Sequence, residues 1–411
     1  MAFVKTRVTL VAFVAASLLA GCASLPPGTP GTTAAAPAVS PIAQSPPGPT
    51  APPHPQASPA SRQPVQVRGI YLTGYTAGND ERFADLLGFV KRAGLNAMVI
   101  DVKDDEGLIS FQSDLPLAEE IGSNSDKIRD IRGRLQTLRE KNIYAIARIV
   151  VFVDPVLVRG RPEWGIQGGR WRDVRGLAWG NPYDENVWRY NVDIAKEAAK
   201  VGFREIQFDY VRMPERSIPG VTDGVGMEKR VNAIADFLRY AVKELKPYDV
   251  FVSADVFGLT TSVSDDMKIG QDYTTIAGIT DYISPMVYPS HYSLGIYGLA
   301  NPEASPLETV FGSLTRGQEK TRWLSPSHHR PWIQDFSLRV HYGRAEVEAQ
   351  LRGLAKAGIK SFMVWDPRNR YTRDVDYSII DRTPVEWHPA PPPPKPRPRG
   401  LVPDPIGNPA L

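Results

Sequence analysis

Two aspartates in the middle of this sequence lie in apolar runs that are typical of buried β-strands. Asp209 lies within IQFDYVRMP (206–214), and Asp255 lies within DVFVSADVFG (249–258). Carboxylates are seldom buried without a partner, because ionising one in an apolar setting is costly. A pair of such carboxyls can hydrolyse a glycosidic bond if one is ionised and the other holds a proton for the leaving oxygen. These residues are therefore the catalytic candidates.

The two aspartates need different surroundings to take these two roles. An arginine beside Asp209, either Arg148 or Arg212, would keep that carboxylate charged. A more apolar and aromatic pocket around Asp255 would raise its pKa, so that it carries a proton. Neighbouring barrel strands lie ~4.8 Å apart, so carboxyls at their ends could lie roughly 5–9 Å apart, the range that this chemistry needs.

Further polar side chains fall at the ends of the other strand-like runs, where a substrate would be bound. Taken singly, each has an ordinary structural explanation, such as a counter-ion or a surface histidine. The carboxyl ends of parallel strands meet on one face, however, so polar residues at successive strand ends are expected to converge there. The candidates for substrate binding are Asp101, Lys103, Arg148, Arg212, Tyr288, His291, Gln334 and Trp365.

These residues are spaced along a regular alternation of strands and helices. The strand-like runs are 67–75, 96–104, 143–152, 205–214, 249–258, 281–292, 331–337 and 360–367. Helical patterns occupy 80–93, 125–141, 184–200, 226–245, 303–320 and 344–357, with a short connector at 272–277. Asp184 is a predicted N-cap, and Gly202 is a predicted helix stop.

Eight strands with intervening helices predict an α/β protein with a single (β/α)8 TIM barrel over residues 65–386. A doubly wound sheet is the alternative, because it also alternates strands and helices. Such a sheet usually has a glycine-rich phosphate loop after its first strand. Here LTGYTAG matches neither GxGxxG nor GxxxxGK[ST].

Four segments resemble a bacterial glycoside hydrolase family of the domain-of-unknown-function type, in a lipoprotein form. They are FDYVRMP, SADVFG, SPMVYPSHY and FMVWDP, and the likeness covers roughly residues 67–375. The resemblance implies a TIM barrel related to the large glycosidase superfamily. It also implies that Asp209, at the end of the fourth strand, is the nucleophile. Trp365 on the last strand resembles the floor beneath the sugar ring in such barrels.

The resemblance leaves the acid/base residue open. Several relatives have a glutamate at the exit of the fifth strand, where this sequence has Asp255. Asp101, Asp104 and Asp335 therefore stay alternatives to Asp255.

The segment after the third strand, residues 154–185, is long and carries three tryptophans and five arginines. A loop of this length inside a compact domain is usually functional. It can be a lid whose tryptophans pack on the barrel. It can also be a substrate-binding wall in which Trp164, Trp171 or Trp179 stacks on sugar rings. The two interpretations are compatible.

Several other classes of function find little support. A net charge of +3 gives no strong electrostatic reason to bind nucleic acid. We expect no metal or cofactor, because the sequence has no HExxH motif and a single cysteine. DVKDDEG (101–107) could bind Ca²⁺ or Mg²⁺, but it lacks the EF-hand spacing. A solvated or substrate-contacting loop is the favoured interpretation there.

The N-terminus has the pattern of an exported lipoprotein. Residues 1–22 contain a positive stretch, a short apolar run and LAGC, which resembles a lipobox whose Cys22 is lipidated. The alternative is an ordinary cleaved signal peptide with an incidental cysteine. Ser24, by resemblance to lipoprotein sorting in Gram-negative bacteria, favours the outer membrane. The expected location is the cell envelope, on the outer membrane and facing the periplasm.

Two proline-rich segments flank the predicted barrel. Residues 23–64 form a predicted tether, because a segment rich in Pro, Ala, Ser and Thr cannot bury a core. Residues 387–411 form a Pro-rich C-terminal tail with a small positive charge.

Two hypotheses of function remain. The first is an exported glycoside hydrolase that cleaves a cell-envelope or extracellular polysaccharide through Asp209 and a second carboxyl. The second is a non-catalytic envelope lipoprotein whose barrel only binds glycan. In both, the partners are a polysaccharide or oligosaccharide and a membrane reached through the lipid anchor.

Overall fold

The computed structural model describes residues 65–388, and within them eight parallel strands close into a barrel in chain order. The closure comes from the pairing of the first strand with the last. The predicted α/β class and (β/α)8 TIM barrel are thereby confirmed. The strands are β1 (Arg68–Leu72), β2 (Ala97–Lys103), β3 (Tyr144–Val150), β4 (Glu205–Asp209), β5 (Phe251–Phe257), β6 (Tyr282–Met286), β7 (Trp332–Gln334) and β8 (Phe362–Trp365).

Helices alternate with the strands and cover the outside of the barrel. They are α1 (Gly74–Gly78), α2 (Asp80–Arg92), α3 (Pro116–Ile121), α4 (Ile131–Glu140), α5 (Pro155–Gly160), α6 (Glu185–Val201), α7 (Met227–Leu245), α8 (Tyr273–Ala277), α9 (Pro306–Lys320), α10 (Arg344–Lys356) and α11 (Ile379–Arg382).

The helix ends follow the local sequence chemistry. Asp184 accepts a hydrogen bond from the Asn186 N–H and begins α6, and Gly202 ends it with a φ of 120°. The helix predicted over 125–141 begins later, because Asp130 is its N-cap and accepts a hydrogen bond from the Gly133 N–H. Capping residues therefore set these boundaries more closely than hydrophobic spacing does.

Side chains alternate along each strand between the helix layer and the barrel interior. In β4, Ile206 and Phe208 belong to the outer core, and the Phe208 ring centroid lies 5.2 Å from that of Phe237 on α7. The period of two therefore places Asp209 inside the barrel. There it meets Arg148 of β3 instead of the helix layer.

A buried ion pair occupies the barrel interior at the amino ends of the strands. Arg330, just before β7, pairs with Glu205 at the start of β4, and both side chains are fully buried. Ser253 Oγ donates to Glu205 Oε1 at 2.7 Å, and the Arg330 guanidinium lies 3.5 Å from the centroid of the Tyr282 ring. These contacts supply the partners that buried charges require.

A local irregularity in β2 changes the direction of one predicted site residue. The register between β2 and β3 shifts between Asp101 and Lys103, as in a β-bulge. Without it, the period of two would return Lys103 to the same side as Asp101. Instead Lys103 Nζ lies 2.5 Å from Asp154 Oδ2 and 5.6 Å from the ring centroid of Tyr190 on α6.

The predicted signal peptide, the lipidation site Cys22, the linker and most of the C-terminal tail lie outside the described residues 65–388. Among those described residues, no helix combines the length and the apolar character needed to cross a membrane.

Candidate active site

Arg148 on β3 joins two of the predicted carboxylates at the carboxyl end of the barrel. Its Nε and Nη2 donate to Asp209 Oδ2 at 3.0 and 2.5 Å, and its Nη1 donates to Asp101 Oδ1 at 2.6 Å. The Tyr210 N–H donates to the other oxygen of Asp209 at 2.6 Å. Three N–H donors thus stabilise an ionised Asp209. Of the two arginines that the sequence offered as counter-ion, Arg148 occupies this position.

Aromatic rings surround these charges. The Tyr71 hydroxyl donates to Asp101 Oδ2 at 2.5 Å, and its ring stacks on Trp365 with centroids 4.0 Å apart. Trp332 stands perpendicular to Trp365 at 5.4 Å. The Arg148 guanidinium carbon lies 5.1 Å from the Trp365 ring centroid, within the range of a cation–π interaction. The rings therefore hold the arginine in place.

Asp255 on β5 lies beside these groups and is only 1% exposed. Trp332 Nε1 donates to its Oδ1 at 2.8 Å. Burial, followed by the charge of Asp209, raises the pKa of Asp255 well above its ordinary value, although Arg148 and the Trp332 bond act in the opposite direction. We therefore expect Asp255 to carry a proton near neutral pH. We refer to Arg148, Asp101, Asp209 and Asp255 as the Arg148 cluster.

Asp101 is the third carboxyl of the Arg148 cluster. Burial raises its pKa to about 6, although Arg148 and the Tyr71 hydroxyl stabilise its charged form. The Arg148 guanidinium thus binds two of the three buried carboxyls, and like charges at short range cannot all be ionised without a large cost. We therefore expect the carboxyls of the cluster to differ in protonation state.

Tyr288, a predicted substrate-binding residue, lies in the interior close to the same cluster. It is 7% exposed, and the charges of Asp255 and Asp209 add to the effect of burial in raising its pKa. Its ring centroid lies 5.4 Å from that of His291 and 5.6 Å from that of Phe336. The structure thus brings Tyr288 and the predicted His291 together at this end of the barrel.

Gln334 and His291 are linked through Ser290. Ser290 Oγ donates to Gln334 Oε1 at 2.8 Å and lies 2.9 Å from His291 Nδ1. Gln334 Nε2 donates to the Phe336 carbonyl at 2.7 Å, and Gln334 is fully buried. Both ends of the Gln334 amide are therefore used within the protein, whereas His291 is exposed at the rim.

Lys103 and Arg212 lie apart from the Arg148 cluster. Lys103 forms its fully buried ion pair with Asp154 beneath α6. Arg212 lies beyond the end of β4, and its Nη2 is 3.2 Å from Glu215 Oε1. Within residues 65–388 neither cation pairs with Asp209. A role of Lys103 and Arg212 in binding substrate stays a prediction.

The alternative acids also have other partners. Asp104 pairs with Lys127. Asp335 accepts hydrogen bonds from the backbone N–H and the hydroxyl of Thr372, both at 2.7 Å, and burial raises its pKa to about 6. In the described part of the chain, the carboxyls bound by Arg148 are those of Asp101 and Asp209. Asp255 and Asp101 both lie beside Asp209 with raised pKa values, so Asp101 stays an alternative to Asp255 as the proton donor.

The long segment between β3 and α6 covers the exit of β4. Trp179 is 3% exposed, and its ring centroid lies 6.0 Å from that of Tyr210, the residue after Asp209. Arg175 of this segment pairs with Asp105 after β2 at 2.6 Å. The segment therefore packs on the barrel as a lid. Sugar stacking by its tryptophans stays a prediction.

Two residues of this site, Tyr71 and Trp332, are missing from the candidates taken from the sequence. Trp332 lies two positions before the predicted Gln334, and Tyr71 lies within the strand-like run 67–75. An aromatic residue at either position is equally typical of core. The usable signal was the period of two. Trp332 shares a strand face with Gln334, which the sequence did suggest, whereas Tyr71 shares one with Gly69, which gives no indication of a site.

The acidic loop after β2 makes ion pairs in place of a metal site. Asp104 pairs with Lys127, and Asp105 pairs with Arg175. Across residues 65–388, no group of three or more His, Cys, Asp or Glu side chains is arranged to hold a metal ion.

A TIM barrel with neighbouring carboxyls at this end is an architecture that glycoside hydrolases use. Residues 69–371 match the family described as "Putative glycosyl hydrolase domain", and the chain belongs to this family. No curated protein matches the chain.

Three solved structures are similar to parts of this chain. A hypothetical protein from Ruminiclostridium thermocellum is 41% identical over 46% of this chain and 97% of its own, with a TM-score of 0.42. The PgaB (BpsB) glycoside hydrolase domain from Bordetella bronchiseptica is 13% identical over 79% of this chain and 100% of its own, with a TM-score of 0.57. The C-terminal domain of a "putative chitinase" from Desulfitobacterium hafniense is 11% identical over 77% and 99%, with a TM-score of 0.51. The last two likenesses concern the fold.

Proposed function

We propose that this protein is an exported glycoside hydrolase that uses Asp209 and Asp255 as its catalytic pair. The observation that carries the proposal is the unlike surroundings of these two buried carboxyls. Asp209 receives three N–H donors, two of them from Arg148. Burial and the nearby charge of Asp209 raise the pKa of Asp255 well above its ordinary value. One ionised and one protonated carboxyl are the two groups that glycoside hydrolysis requires.

The proposed reaction follows from these two states. Asp255 transfers its proton to the glycosidic oxygen as the bond to the anomeric carbon breaks. Asp209 attacks that carbon and forms a glycosyl–enzyme bond, in the role that the superfamily resemblance implies. A water molecule then gives its proton to Asp255 and its oxygen to the anomeric carbon, which frees Asp209. Arg148 keeps Asp209 charged and oriented throughout.

The proposed substrate is a cell-envelope or extracellular polysaccharide. A carbohydrate substrate is supported by the family and by solved relatives that are named as a glycoside hydrolase domain and a "putative chitinase". The envelope location is supported by the export signal. Cys22 after LAG is the proposed lipid-anchoring site, and Ser24 favours the outer membrane, with the barrel facing the periplasm.

The second candidate function is glycan binding without catalysis, and one observation favours it. Asp101, Asp209 and Asp255 are 3%, 6% and 1% exposed, so a sugar has little access to them in this conformation. Catalysis requires the segment 154–185 or another part of the rim to move away from the strand exits. A binding protein would need no such movement.

The Asp209→Asn variant separates the two functions. Asparagine keeps the shape and a hydrogen-bond acceptor for Arg148 but removes the charge that stabilises the transition state. We expect kcat for polysaccharide cleavage to fall by about 10³-fold or more, with little change in glycan binding. Release of reducing ends measures turnover, and calorimetry on the same glycan measures binding.

A matched control is Asp236→Asn, which makes the same change on an exposed part of α7, outside the Arg148 cluster. It should retain most of the wild-type turnover. Unchanged cleavage by Asp209→Asn, with the protein folded, would falsify the catalytic assignment. If the wild type binds a glycan but cleaves none, the binding function is correct.

A further inference from the structure

A second buried arginine lies at the same face of the barrel as the Arg148 cluster. Arg212 follows β4 and is 6% exposed. Its guanidinium carbon lies 4.6 Å from the ring centroid of Phe257, 4.9 Å from that of Tyr210 and 5.1 Å from that of Trp179. Three cation–π contacts of this kind hold a guanidinium in one position. Its N–H groups lie in the guanidinium plane and stay able to donate hydrogen bonds.

Two of these rings lie at the ends of the strands that carry the proposed catalytic pair. Tyr210 directly follows Asp209, and Phe257 follows Asp255 by two residues. Tyr210 has a φ of 50°, in the left-handed region that tyrosine rarely adopts. Strained backbone of this kind is kept where the surrounding structure requires it, often beside a functional site. Arg212 therefore lies next to the exits of both catalytic strands.

The N–H groups of Arg212 meet a carboxylate of the same loop. Nη1 donates to the Met213 carbonyl at 3.1 Å, and Nη2 lies 3.2 Å from Glu215 Oε1. The Glu215 side chain is 52% exposed, so this ion pair is well solvated and easily exchanged. A carboxylate from a ligand could replace Glu215 while Arg212 stays between its three rings.

A second cation contacts the same tyrosine. The Arg175 guanidinium carbon lies 5.6 Å from the Tyr210 ring centroid, and Arg175 pairs with the part-exposed Asp105. Positive charge thus lies beside Tyr210. The Arg148 cluster, in contrast, has more carboxyls than cations. A negative group on a substrate would be repelled at the catalytic pair and attracted beside Tyr210.

We infer that Arg212, Tyr210, Trp179 and Phe257 form a subsite for a carboxylate-bearing sugar next to the cleaved bond, so that the substrate is an acidic glycan. The position of that bond rests on the proposed function. The sugar carboxylate takes the place of Glu215 on Arg212. A uronic acid and a lactyl ether on an amino sugar offer the same carboxylate, and the test below distinguishes these two sources.

The test measures binding to the Asp209→Asn protein, which leaves the glycan intact. The probes are oligogalacturonate and peptide-free glycan strands that contain N-acetylmuramic acid, each beside its carboxyl-reduced form. We expect one acidic glycan to bind about 10- to 100-fold more tightly than its reduced form, as a charge-assisted hydrogen bond allows. The pair that shows the preference identifies the source of the carboxylate. Equal binding of acidic and reduced forms in both pairs, or binding of neither, overturns the inference.

Variants of the same loop connect the preference to Arg212. Arg212→Gln should abolish the preference for the acidic form while binding of the reduced form is unchanged. Glu215→Gln removes the competing carboxylate and should strengthen binding of the acidic form several-fold. Arg216→Gln makes the same charge change at an exposed neighbour and should have little effect. Equal weakening of both forms by Arg212→Gln would show that Arg212 only supports the loop.

Cleavage by the wild-type protein separates this inference from the proposed hydrolysis. If the wild type cleaves carboxyl-reduced glycans as fast as acidic ones, the subsite is wrong and the hydrolase function is correct. If acidic glycans are bound through Arg212 but not cleaved, the subsite is correct and the hydrolase function is wrong.

Discussion

Among individual residues, Asp209 and Asp255 differ in the groups that reach them. Arg148 gives two N–H donors to Asp209, and a backbone N–H supplies a third. Asp255 receives a single donor from the Trp332 indole and lies in a dry pocket near the charge of Asp209. A charge on Asp209 favours a proton on Asp255, so the two proposed catalytic roles depend on each other.

The first prediction concerns Asp255 as the proton donor. In Asp255→Asn, cleavage of the natural glycan should fall by about 10²- to 10⁴-fold, the usual contribution of general acid catalysis. A nitrophenyl glycoside of the same sugar needs little protonation of its leaving group, so its cleavage should fall far less. The ratio of the two kcat/KM values, measured for wild type and variant, checks this. An equal loss on both substrates would assign the proton donor elsewhere.

The second prediction concerns the pH dependence of stability. Burial raises the pKa of Asp101 to about 6, whereas an unfolded aspartate titrates near 4. The folded chain therefore binds more protons than the unfolded chain between these two values, and stability falls as pH rises through them. The full effect of such a group is about 3 kcal/mol. The Asp101→Asn variant lacks this pH-dependent contribution to the free energy of unfolding.

Unfolding by urea at several pH values checks the Asp101 prediction. The free energy of unfolding of the wild type, relative to Asp101→Asn, should fall by about 2 kcal/mol between pH 4 and pH 7. The absolute stability of the variant does not matter, because only the change with pH is compared. A difference that is constant over this pH range would show that Asp101 has an ordinary pKa.

At the level of the secondary structure, the bulge in β2 lets one strand contribute both to the Arg148 cluster and to a structural ion pair on the outer side. Asp101 enters the Arg148 cluster, while Lys103 is turned to the outer side, where it pairs with Asp154. Asp154 also caps α5 by accepting a hydrogen bond from the Leu157 N–H at 2.8 Å. The Lys103–Asp154 pair thus ties the strand to the start of the lid segment.

The third prediction follows from the burial of that pair. Lys103→Met leaves Asp154 buried without its counter-ion and should lower the free energy of unfolding by about 3–5 kcal/mol. The double variant Lys103→Met/Asp154→Asn keeps the helix cap and removes the orphaned charge, so it should recover much of that loss. Denaturant unfolding of both variants checks this. A rise in KM with unchanged stability would instead assign Lys103 to substrate binding.

The sequence predicts those parts of this site that depend on local pattern, and it misses those that depend on pairing between distant strands. The strand runs and the period of two place Asp209 and Asp255 correctly inside the barrel, because both depend only on local pattern. The choice of Arg148 over Arg212 as partner of Asp209 depends on strand register, in which Val150 pairs with Asp209. Such pairing between distant segments cannot be obtained from local spacing.

The same limit explains the residues that the sequence misplaced or missed. The bulge that turns Lys103 is a departure from the period of two and has no signal in AMVIDVK. Tyr71 and Trp332 act through contacts with Asp101 and Asp255, which come from other strands. An aromatic residue on a strand is compatible with core or site until those neighbours are known.

For the whole molecule, the remaining prediction concerns the anchor that lies outside the described residues. Cys22 follows LAG after a short apolar run, which indicates lipidation of that thiol. Cys22→Ser should remove labelling by radioactive palmitate and move the protein from the membrane fraction to the soluble periplasmic fraction. The barrel should keep its thermal stability, because residues 65–388 contain the complete set of eight strands. Continued labelling of the serine variant would contradict the lipobox.

The ion pair at the amino end of the barrel has a consequence for how this chain reaches its folded state. Glu205 belongs to the first half of the barrel and Arg330 to the second, 125 positions further along the chain. A half-barrel that ends after β4 lacks both the cation of Glu205 and the second-half residues that bury this carboxylate. During synthesis, we therefore expect β4 to reach its final packing only after the segment that leads into β7 has emerged.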